Sequence, residues 1–379
     1  MGQKKKFCFF IATDRHHDEI VIFRQAKSLI DAGYEVTFIV SDNEPEELVD
    51  GVRVIPNGFV QGGYFKRITK LPSVMYRKAK EIDADVYQTC SVDLLSVGLR
   101  LRRHKKKVIF HLREGHPYTF VHGSPYPKWL TKLLISLMVV WMKYSLKRYD
   151  YVITVTDSIA NYLNQWGIKK ILVQGNYPII NQDYKLSWED YSTRENRLLY
   201  FGLVYTVSRQ QYVLDALQEV DKVKYLIAGK FTGNNWYYEQ LKEHPKWKDV
   251  EFIDGFKHEE LTSFFKRSTI CNVLRDFSRT ESPNGSLGII KIFESMEAAL
   301  PIICSDVPVY REMMKEYKCG LLVDPKNSEQ IAEAIKYLVE HKEEAYQMGQ
   351  EGRRAVIEKY SWDAESKVYI GIVNSILYL

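Results

Sequence analysis

Residues 280–306 read TESPNGSLGIIKIFESMEAALPIICSD, and they are the most informative segment of the sequence for the fold class. A loop that contains Gly285 and Gly288 leads into a helical pattern near Ile290, and an apolar strand follows at residues 301–304. A loop, a helix and a buried strand in this order are typical of a parallel α/β sheet.

The same stretch carries groups that suit a nucleotide diphosphate. Lys291 lies at the start of the predicted helix, where free backbone N–H groups and the helix dipole favour an anion. Glu294 lies within the first two turns and can accept hydrogen bonds from two vicinal ribose hydroxyls. The alternative interpretation is a flexible loop before a capped helix, with Glu294 favoured only by the dipole.

Strands and helices alternate on both sides of this stretch. In the second half, apolar strands are predicted at residues 198–201, 224–228, 250–253, 269–273, 301–304 and 320–323. In the first half, they are predicted at residues 7–12, 35–40, 85–89, 107–112, 151–155 and 170–173. Apolar strands flanked by helices indicate parallel sheets that are covered on both faces.

A polar, aperiodic segment separates the two series of strands, and 379 residues are too many for one ordinary core. We therefore predict an α/β protein with two Rossmann-like, doubly wound parallel-sheet domains that face a central cleft. The predicted parts are a domain at residues 1–178, a linker at 179–196, a domain at 197–361, and a C-terminal helix at 362–379 that packs back across the cleft.

Ligands of open parallel sheets bind beyond the carboxyl ends of the strands. Four polar segments follow predicted strands, at residues 14–18, 111–117, 202–209 and 280–291. We therefore expect these four segments to converge on one crevice.

Composition excludes several classes of protein. The five cysteines are scattered and none forms a Cys-x-x-Cys pair, which argues for reduced thiols and against a zinc site. The apolar run at residues 7–12 is too short for a signal peptide, so we expect a cytoplasmic protein. No Gly-x-Gly-x-x-Gly follows the first strand, which disfavours a dinucleotide oxidoreductase.

Positive charge is concentrated in the first half, where residues 1–180 contain 27 Lys and Arg against 17 Asp and Glu. Residues 127–148, PKWLTKLLISLMVVWMKYSLKR, have an apolar centre with lysines toward the ends. This pattern fits either a helix on an anionic membrane surface or a core helix with solvated ends, and burial is the favoured interpretation. No nucleic-acid motif accompanies the basic charge, so we expect no nucleic acid as a partner.

The chain resembles retaining glycosyltransferase family 4, and in particular its bacterial branch for capsular polysaccharide, exopolysaccharide and lipopolysaccharide. Lys291-Ile-Phe-Glu294-Ser-Met is similar to the Lys-Leu-Phe-Glu-Tyr-Met of that branch. Further similar motifs are Ala32-Gly-Tyr-Glu-Val36, Val108-Ile-Phe-His-Leu-Arg-Glu114, Asn176-Tyr-Pro178, Cys319-Gly-Leu-Leu-Val-Asp-Pro325 and Tyr360-Ser-Trp362.

The resemblance implies a GT-B fold and a metal-independent transfer of a sugar, with retention, from a UDP- or GDP-linked donor to a glycan or lipid-linked acceptor. No cofactor and no metal are expected. The resemblance assigns catalytic roles to Glu114, His111 and Lys291. It assigns donor binding to Glu294, Lys291, Gly202, Arg209, Gly285, Ser286 and Leu287. The candidates on the acceptor or phosphate side are Arg15, His16, His17 and Arg113.

Several positions depart from the family pattern. Ser286 stands eight positions before Glu294, where the family has a second glutamate, and Glu281 is the nearest substitute. Leu203 stands where an arginine is expected, and Arg209 lies one position away from an expected lysine. The segment Thr13-Asp-Arg-His-His-Asp18 replaces a glycine-rich loop, and Arg113 replaces a histidine before Glu114.

These departures leave other functions open. One is a catalytically degenerate relative that binds a nucleotide-sugar without turnover, and another is a GT-B nucleotide-sugar epimerase, which needs no acceptor. For His111, the alternative is a hydrogen-bonded histidine at a strand end, and for His16 and His17 it is a solvated loop. A lipid-linked acceptor would bring the protein to the inner face of the cell membrane as a peripheral protein.

Overall fold

The computed structural model describes residues 4–13, 18, 20–58, 68–113, 127–232, 235–278 and 282–378. The chain divides into two compact units. Unit 1 comprises Met1–Asn176 and Asp363–Leu379, and unit 2 comprises Tyr177–Trp362.

Unit 1 contains an eight-stranded sheet in the order β3-β4-β2-β1-β5-β6-β7-β8. Its strands are β1 (Lys6–Phe10), β2 (Glu35–Val40), β3 (Glu47–Val49), β4 (Val52–Pro56), β5 (Val86–Thr89), β6 (Lys107–Leu112), β7 (Tyr151–Thr154) and β8 (Ile171–Val173). All neighbouring strands are parallel except β3 and β4, which are antiparallel.

Helices cover both faces of this sheet. The first is a π-helix (Ile20–Ala26) that continues as α1 (Lys27–Asp31). The others are α2 (Leu71–Ile82), α3 (Leu95–Arg103), α4 (Lys128–Leu146), α5 (Asp157–Gln165) and the C-terminal helix (Trp362–Leu377).

Successive side chains of β1 point to opposite faces of the sheet, as the pleat of a strand requires. Phe7 and Phe9 belong to one hydrophobic core, and Cys8 and Phe10 belong to the other. The C-terminal helix contributes Tyr369, Val373 and Ile376 to the first of these cores. The C-terminal helix is therefore a structural part of unit 1.

Unit 2 contains a six-stranded parallel sheet in the order β11-β10-β9-β12-β13-β14. Its strands are β9 (Arg197–Phe201), β10 (Lys224–Gly229), β11 (Val250–Asp254), β12 (Ile270–Asn272), β13 (Ile302–Ser305) and β14 (Gly320–Val323). Its helices are α6 (Trp188–Thr193), α7 (Gln210–Ala216), α8 (Trp236–Lys242), α9 (Leu261–Lys266), α10 (Ile290–Glu297), α11 (Pro308–Glu316), α12 (Ser328–Glu340) and α13 (Lys342–Glu358). The predicted fold class is confirmed: both units are α/β and both sheets are mostly parallel.

The segment predicted as a linker at residues 179–196 packs onto unit 2. Leu186 and Tyr191 are buried in the core of that unit, and the Tyr191 hydroxyl donates to the backbone oxygen of Thr269 at 3.0 Å. Ser187 caps α6 by accepting a hydrogen bond from the backbone N–H of Asp190 at 3.1 Å. The segment looked aperiodic in the sequence because it contains only a six-residue helix and few buried side chains.

Most of helix α4 is not buried, so the prediction of a buried core helix from its composition is wrong. It is the one helix in the described part of the chain that is long and apolar enough to cross a membrane, yet only 22% of its most apolar window is buried. Met142 and Leu146 pack into the unit 1 core, while Trp129, Leu137 and Val140 are exposed.

Candidate functional site

Two neighbouring strands of unit 2 end in glycines that let backbone approach backbone. A Cβ atom on Gly229, at the end of β10, would lie 1.8 Å from the carbonyl oxygen of Gly202. Gly202 follows β9 with φ of +87°, and a Cβ there would lie 3.1 Å from Cε of Lys291. Both positions therefore require glycine, and the Gly202 turn leaves room for the lysine.

Lys291 brings a cation to this glycine turn from the first turn of α10. Its Nζ lies 3.8 Å from the ring centroid of Tyr200 and 3.4 Å from the carbonyl oxygen of Leu203. Burial and the neighbouring charge of Arg275 lower the pKa of Lys291 to about 7, although the Glu294 carboxylate opposes this shift. An anion bound beside Nζ would favour the charged ammonium.

The loop before α10 is shaped by its glycine. Gly285 has φ of +94°, and a Cβ there would lie 2.6 Å from Cγ2 of Val307. Ser286 is used inside the loop: its Oγ accepts from the backbone N–H of Gly288 at 3.0 Å, and its carbonyl oxygen accepts from the Tyr310 hydroxyl at 3.0 Å. Leu287 packs against the unit 2 core. The loop is thus held by its own hydrogen bonds and by apolar contacts.

The start of α10 has backbone N–H groups for which the described residues provide no side-chain cap at the N-cap position. Ile289, at the N-cap position, makes no side-chain hydrogen bond to the helix. Glu294 lies three residues after Lys291, on the same side of the helix. The beginning of α10 therefore combines free N–H donors, a lysine and a carboxylate one turn further on.

Arg275 is a second cation that the motifs did not reveal. It lies just beyond β12, where its backbone N–H donates to Ser305 Oγ at 2.8 Å and its carbonyl oxygen accepts from the same hydroxyl at 2.7 Å. Its buried Nε has no hydrogen-bond partner among the described residues. Its position after a parallel strand was the available signal, because the same rule pointed to residues 202–209 and 280–291.

Arg209, by contrast, is engaged in an ion pair. It adopts a left-handed backbone conformation before α7, and its Nε donates to Asp276 Oδ2 at 3.1 Å. Burial alone would raise the pKa of Asp276, but hydrogen bonds from Ser278 and Arg209 outweigh burial and hold that pKa far below its ordinary value. Arg209 therefore balances a buried carboxylate, and its predicted contact with a diphosphate stays a prediction.

In unit 1, His111 is buried inside a network of amides. Its Nδ1 lies 3.3 Å from Nε2 of Gln25, and the same Nε2 donates to Gln174 at 2.7 Å. Because an amide nitrogen only donates, Nδ1 accepts and the ring proton resides on Nε2. Burial and the charge of Arg113 hold the pKa of His111 well below its ordinary value, so the ring is neutral. The catalytic role of His111 stays a prediction.

Arg113, a candidate for the acceptor or phosphate side, forms an ion pair with Asp18. Its Nη1 lies 3.0 and 2.8 Å from the two carboxylate oxygens of Asp18. Asp18 also accepts from the backbone N–H of Val21 at 2.9 Å and so caps the π-helix. Glu114, Arg15, His16, His17 and Glu281 lie outside the described residues.

The described residues contain no group of three or more His, Cys, Asp or Glu side chains that could hold a metal ion. The chain does have one Asp-x-Asp segment, at Asp83 and Asp85, next to the amino end of β5. Lys106 Nζ lies 2.8 Å from Asp83, and the backbone N–H of Lys6 donates to Asp85 at 2.9 Å. Both carboxylates therefore serve contacts within unit 1.

The fold places the chain in a class of tandem Rossmann-like proteins, the GT-B class. Sucrose-phosphate synthase from Thermosynechococcus elongatus superposes with a TM-score of 0.74 over 99% of both chains, at 16% identity. The Anabaena protein HepE, solved with UDP and glucose, superposes with a TM-score of 0.67 over 97% of this chain and 99% of its own, at 14% identity.

Sequence comparison then identifies the family. The model for glycosyltransferase family 4 matches residues 19–176, and the model for glycosyl transferases group 1 matches residues 189–355. An uncharacterized glycosyltransferase of Methanocaldococcus jannaschii is 23% identical over 226 residues, which are 59% of this chain and 59% of that protein. The chain is a GT-B glycosyltransferase with a family 4-type domain followed by a group 1 domain.

Proposed function

We propose that the chain is a retaining, metal-independent glycosyltransferase that moves a hexose from a UDP- or GDP-linked donor to a glycan or lipid-linked acceptor. Unit 2 holds the donor and unit 1 holds the acceptor. The reaction belongs to bacterial surface polysaccharide synthesis and takes place in the cytoplasm, at the inner face of the cell membrane.

The observation that carries this proposal is the position of Lys291 beside the Gly202 turn. Its Nζ lies 3.4 Å from the carbonyl oxygen of Leu203, at the carboxyl end of β9. Arg275 adds a second positive charge, and the uncapped start of α10 adds free N–H donors. Two cations and a helix N-terminus suit a nucleotide diphosphate.

The same groups supply a mechanism. As the bond between the sugar and the diphosphate breaks, negative charge grows on the leaving phosphate. Lys291 and Arg275 stabilise that charge from fixed positions, which is the kind of preorganisation that lowers a reaction barrier. In metal-dependent transferases, a divalent cation stabilises the negative charge of the diphosphate. Lys291 and Arg275 can stabilise that charge here, which supports metal independence. Glu294 binds the ribose hydroxyls.

Resemblance and similar structures support the choice of donor. HepE was solved with UDP and glucose, which favours a uridine nucleotide and a hexose. The resemblance to family 4 implies a donor that is linked to either UDP or GDP. We therefore keep both bases in the proposal and treat the acceptor as a glycan or a lipid-linked glycan.

One observation favours a second candidate, a nucleotide-sugar-binding relative without turnover. Ser286 replaces the carboxylate that would hold the transferred sugar, and its side chain is used by the backbone N–H of Gly288. Against this candidate, Arg275 compensates for the arginine that Leu203 replaces. A GT-B epimerase is the remaining alternative, and it would convert its nucleotide-sugar without any acceptor.

Calorimetric titration of the full chain with UDP, GDP, ADP and TDP tests the donor site. We expect one of the first two to bind, and a saturating ligand at 100 times Kd to stabilise the protein by about 2.7 kcal/mol. Lys291→Met should weaken that binding. The matched control is Lys224→Met, a lysine that is 59% exposed at the opposite, amino end of β10.

Analysis of the products separates the three candidates. A transferase releases the nucleoside diphosphate faster when an acceptor is added, or hydrolyses its donor slowly without one. An epimerase yields a second nucleotide-sugar and no free diphosphate. Binding with neither product supports the degenerate relative, and failure of all four nucleotides to bind would exclude the proposed donor site.

A further inference from the structure

Helix α4 (Lys128–Leu146) lies on the surface of unit 1 with one face in contact with the core. Met142 and Leu146 are fully buried, and Met138 and Val139 are partly buried against the same cluster. This inward face holds the helix to the unit. The opposite face needs a separate explanation, because the helix is strongly apolar.

The opposite face forms a continuous apolar surface, which we call the exposed stripe. Its members and their exposed fractions are Trp129 (69%), Leu133 (49%), Leu137 (58%), Val140 (64%), Trp141 (39%) and Tyr144 (46%). They recur at intervals of three and four residues and so lie on one side of the helix. From Trp129 to Tyr144 the stripe is about 22 Å long at 1.5 Å per residue. Apolar patches of this kind mark interaction surfaces.

Positive charges flank the exposed stripe, and no negative charge interrupts it. Residues 127–148 contain five cationic side chains and no Asp or Glu. The cations are Lys128, Lys132, Lys143, Lys147 and Arg148. The Arg148 guanidinium lies 3.7 Å from the ring centroid of Tyr144, at the end of the stripe. The exposed stripe and its flanking cations therefore favour a partner that has an apolar interior and negative charges at its surface.

A basic cavity lies at the C-terminal end of α4. It has a volume of about 330 Å³, and it is lined in part by Lys147, Lys169 and Lys170. Arg102 also lines the cavity, but Asp150 balances its charge at 3.1 Å. The charges of the three lysines are therefore not balanced by the one carboxylate of the lining. A phosphate group would neutralise part of this positive charge.

We propose that the exposed stripe docks unit 1 onto the surface of a bilayer that contains anionic phospholipids. The apolar side chains insert into the headgroup region, where tryptophan and tyrosine are favoured, and the lysines bind lipid phosphates. The helix lies along the membrane and does not cross it, because its Met142 face stays in the unit 1 core. A second copy of the chain fits less well, since two stripes would bring five cations against five.

This inference does not depend on the donor or the reaction, so it is tested without turnover. The full chain is sedimented with vesicles of phosphatidylcholine alone or mixed with phosphatidylglycerol. We expect binding to the mixed vesicles at low salt, and at least tenfold weaker binding at high salt because exposed charges are screened. Equal binding to both kinds of vesicle would contradict the role of the lysines.

Paired variants test the exposed stripe. Trp129→Ser combined with Leu137→Ser should lower vesicle binding at least tenfold. Trp236→Ser is the matched control, because this tryptophan of unit 2 is 58% exposed but lies outside the stripe. Retained binding of UDP or GDP, or an unchanged circular dichroism spectrum, shows that the double variant is folded.

Two results would overturn the proposal. The first is vesicle binding by the stripe variant that equals that of the unaltered chain. The second is a dimer in sedimentation velocity experiments that becomes a monomer in the stripe variant, together with no binding to anionic vesicles at low salt. That second result would assign the exposed stripe to a copy of the same chain.

Discussion

The described polar side chains beyond the carboxyl ends of the strands differ in charge between unit 1 and unit 2. In unit 2, Lys291 and Arg275 lie close enough for the charge of one to lower the pKa of the other. In unit 1, Arg113 is paired with Asp18, and His111 is a neutral ring in an amide network. Among the described residues, the unit 2 edge thus holds two cations that repel each other, and the unit 1 edge holds a paired arginine and a neutral histidine.

This contrast indicates that unit 2 is the better suited of the two units to bind an anion. The charges of Lys291 and Arg275 repel each other in the absence of a ligand, and a bound diphosphate would offset this repulsion. Among the described residues of unit 1, Arg113 would have to leave its ion pair with Asp18 before it could bind an anion. This repulsion supports our proposal that unit 2 binds the charged substrate.

The largest effect that this comparison predicts is on turnover. Lys291→Met should lower kcat by about 10²- to 10³-fold, because it removes a fixed positive charge aimed at the leaving phosphate. The measurement is the steady-state release of nucleoside diphosphate from the donor. If Lys291→Met and Lys224→Met turned over at the same rate, Lys291 would have no role in catalysis.

Two arginines of unit 2 provide the second contrast. Arg275→Gln should weaken nucleotide binding by about tenfold, because it removes a charge-assisted hydrogen bond to phosphate. Arg209→Gln should lower the free energy of unfolding by about 1–3 kcal/mol, because the buried Asp276 carboxylate loses its hydrogen bonds from Arg209 and keeps the Ser278 backbone N–H and Lys326 at 3.6 Å.

Calorimetric binding and denaturant unfolding, measured on both variants, separate the two effects. The reverse pattern, with Arg209→Gln losing affinity and Arg275→Gln losing stability, would assign the diphosphate to Arg209 as the resemblance predicted. A loss of both properties in one variant would show that binding and folding are coupled at that residue.

The smallest predicted effect is a change in bound protons. At pH 8 an ammonium group with a pKa of about 7 is mostly neutral, and a bound diphosphate raises this pKa by favouring the charged form. Binding at pH 8 should therefore take up about one proton. The uptake is measured by titration in buffers with different enthalpies of ionisation.

Lys291→Met should abolish this proton uptake, whereas His111→Gln should leave it unchanged because the neutral His111 ring does not titrate near pH 8. Uptake that persists in Lys291→Met would mean that another group titrates. Uptake that disappears in His111→Gln would place His111 beside the donor and support its catalytic assignment.

The strands and the donor-side loop could be predicted from the sequence because their signals are local. Apolar runs that end in Gly202 and Gly229 marked β9 and β10, and the pattern around Lys291 marked the start of α10. Each of these signals spans fewer than thirty residues and depends on backbone preferences that tertiary structure does not overrule.

The rest depends on contacts between distant residues. The pairing of Arg209 with Asp276 joins residues 67 positions apart, and no motif encodes it. The exposure of α4 could not be read from its composition, because an apolar helix suits a core and a membrane surface equally. Arg275 was missed because it matches no family motif, although its place after β12 was visible.

The order of the chain has a consequence for synthesis. Because unit 1 is completed by Tyr369, Val373 and Ile376, unit 2 is an insertion within the sequence of unit 1. A ribosome releases all of unit 2 before the last element of unit 1 emerges, so the inserted unit can finish folding first. Until the C-terminal helix emerges, the part of the unit 1 core that Tyr369, Val373 and Ile376 cover stays exposed, and exposed apolar surface of this kind is what chaperones bind.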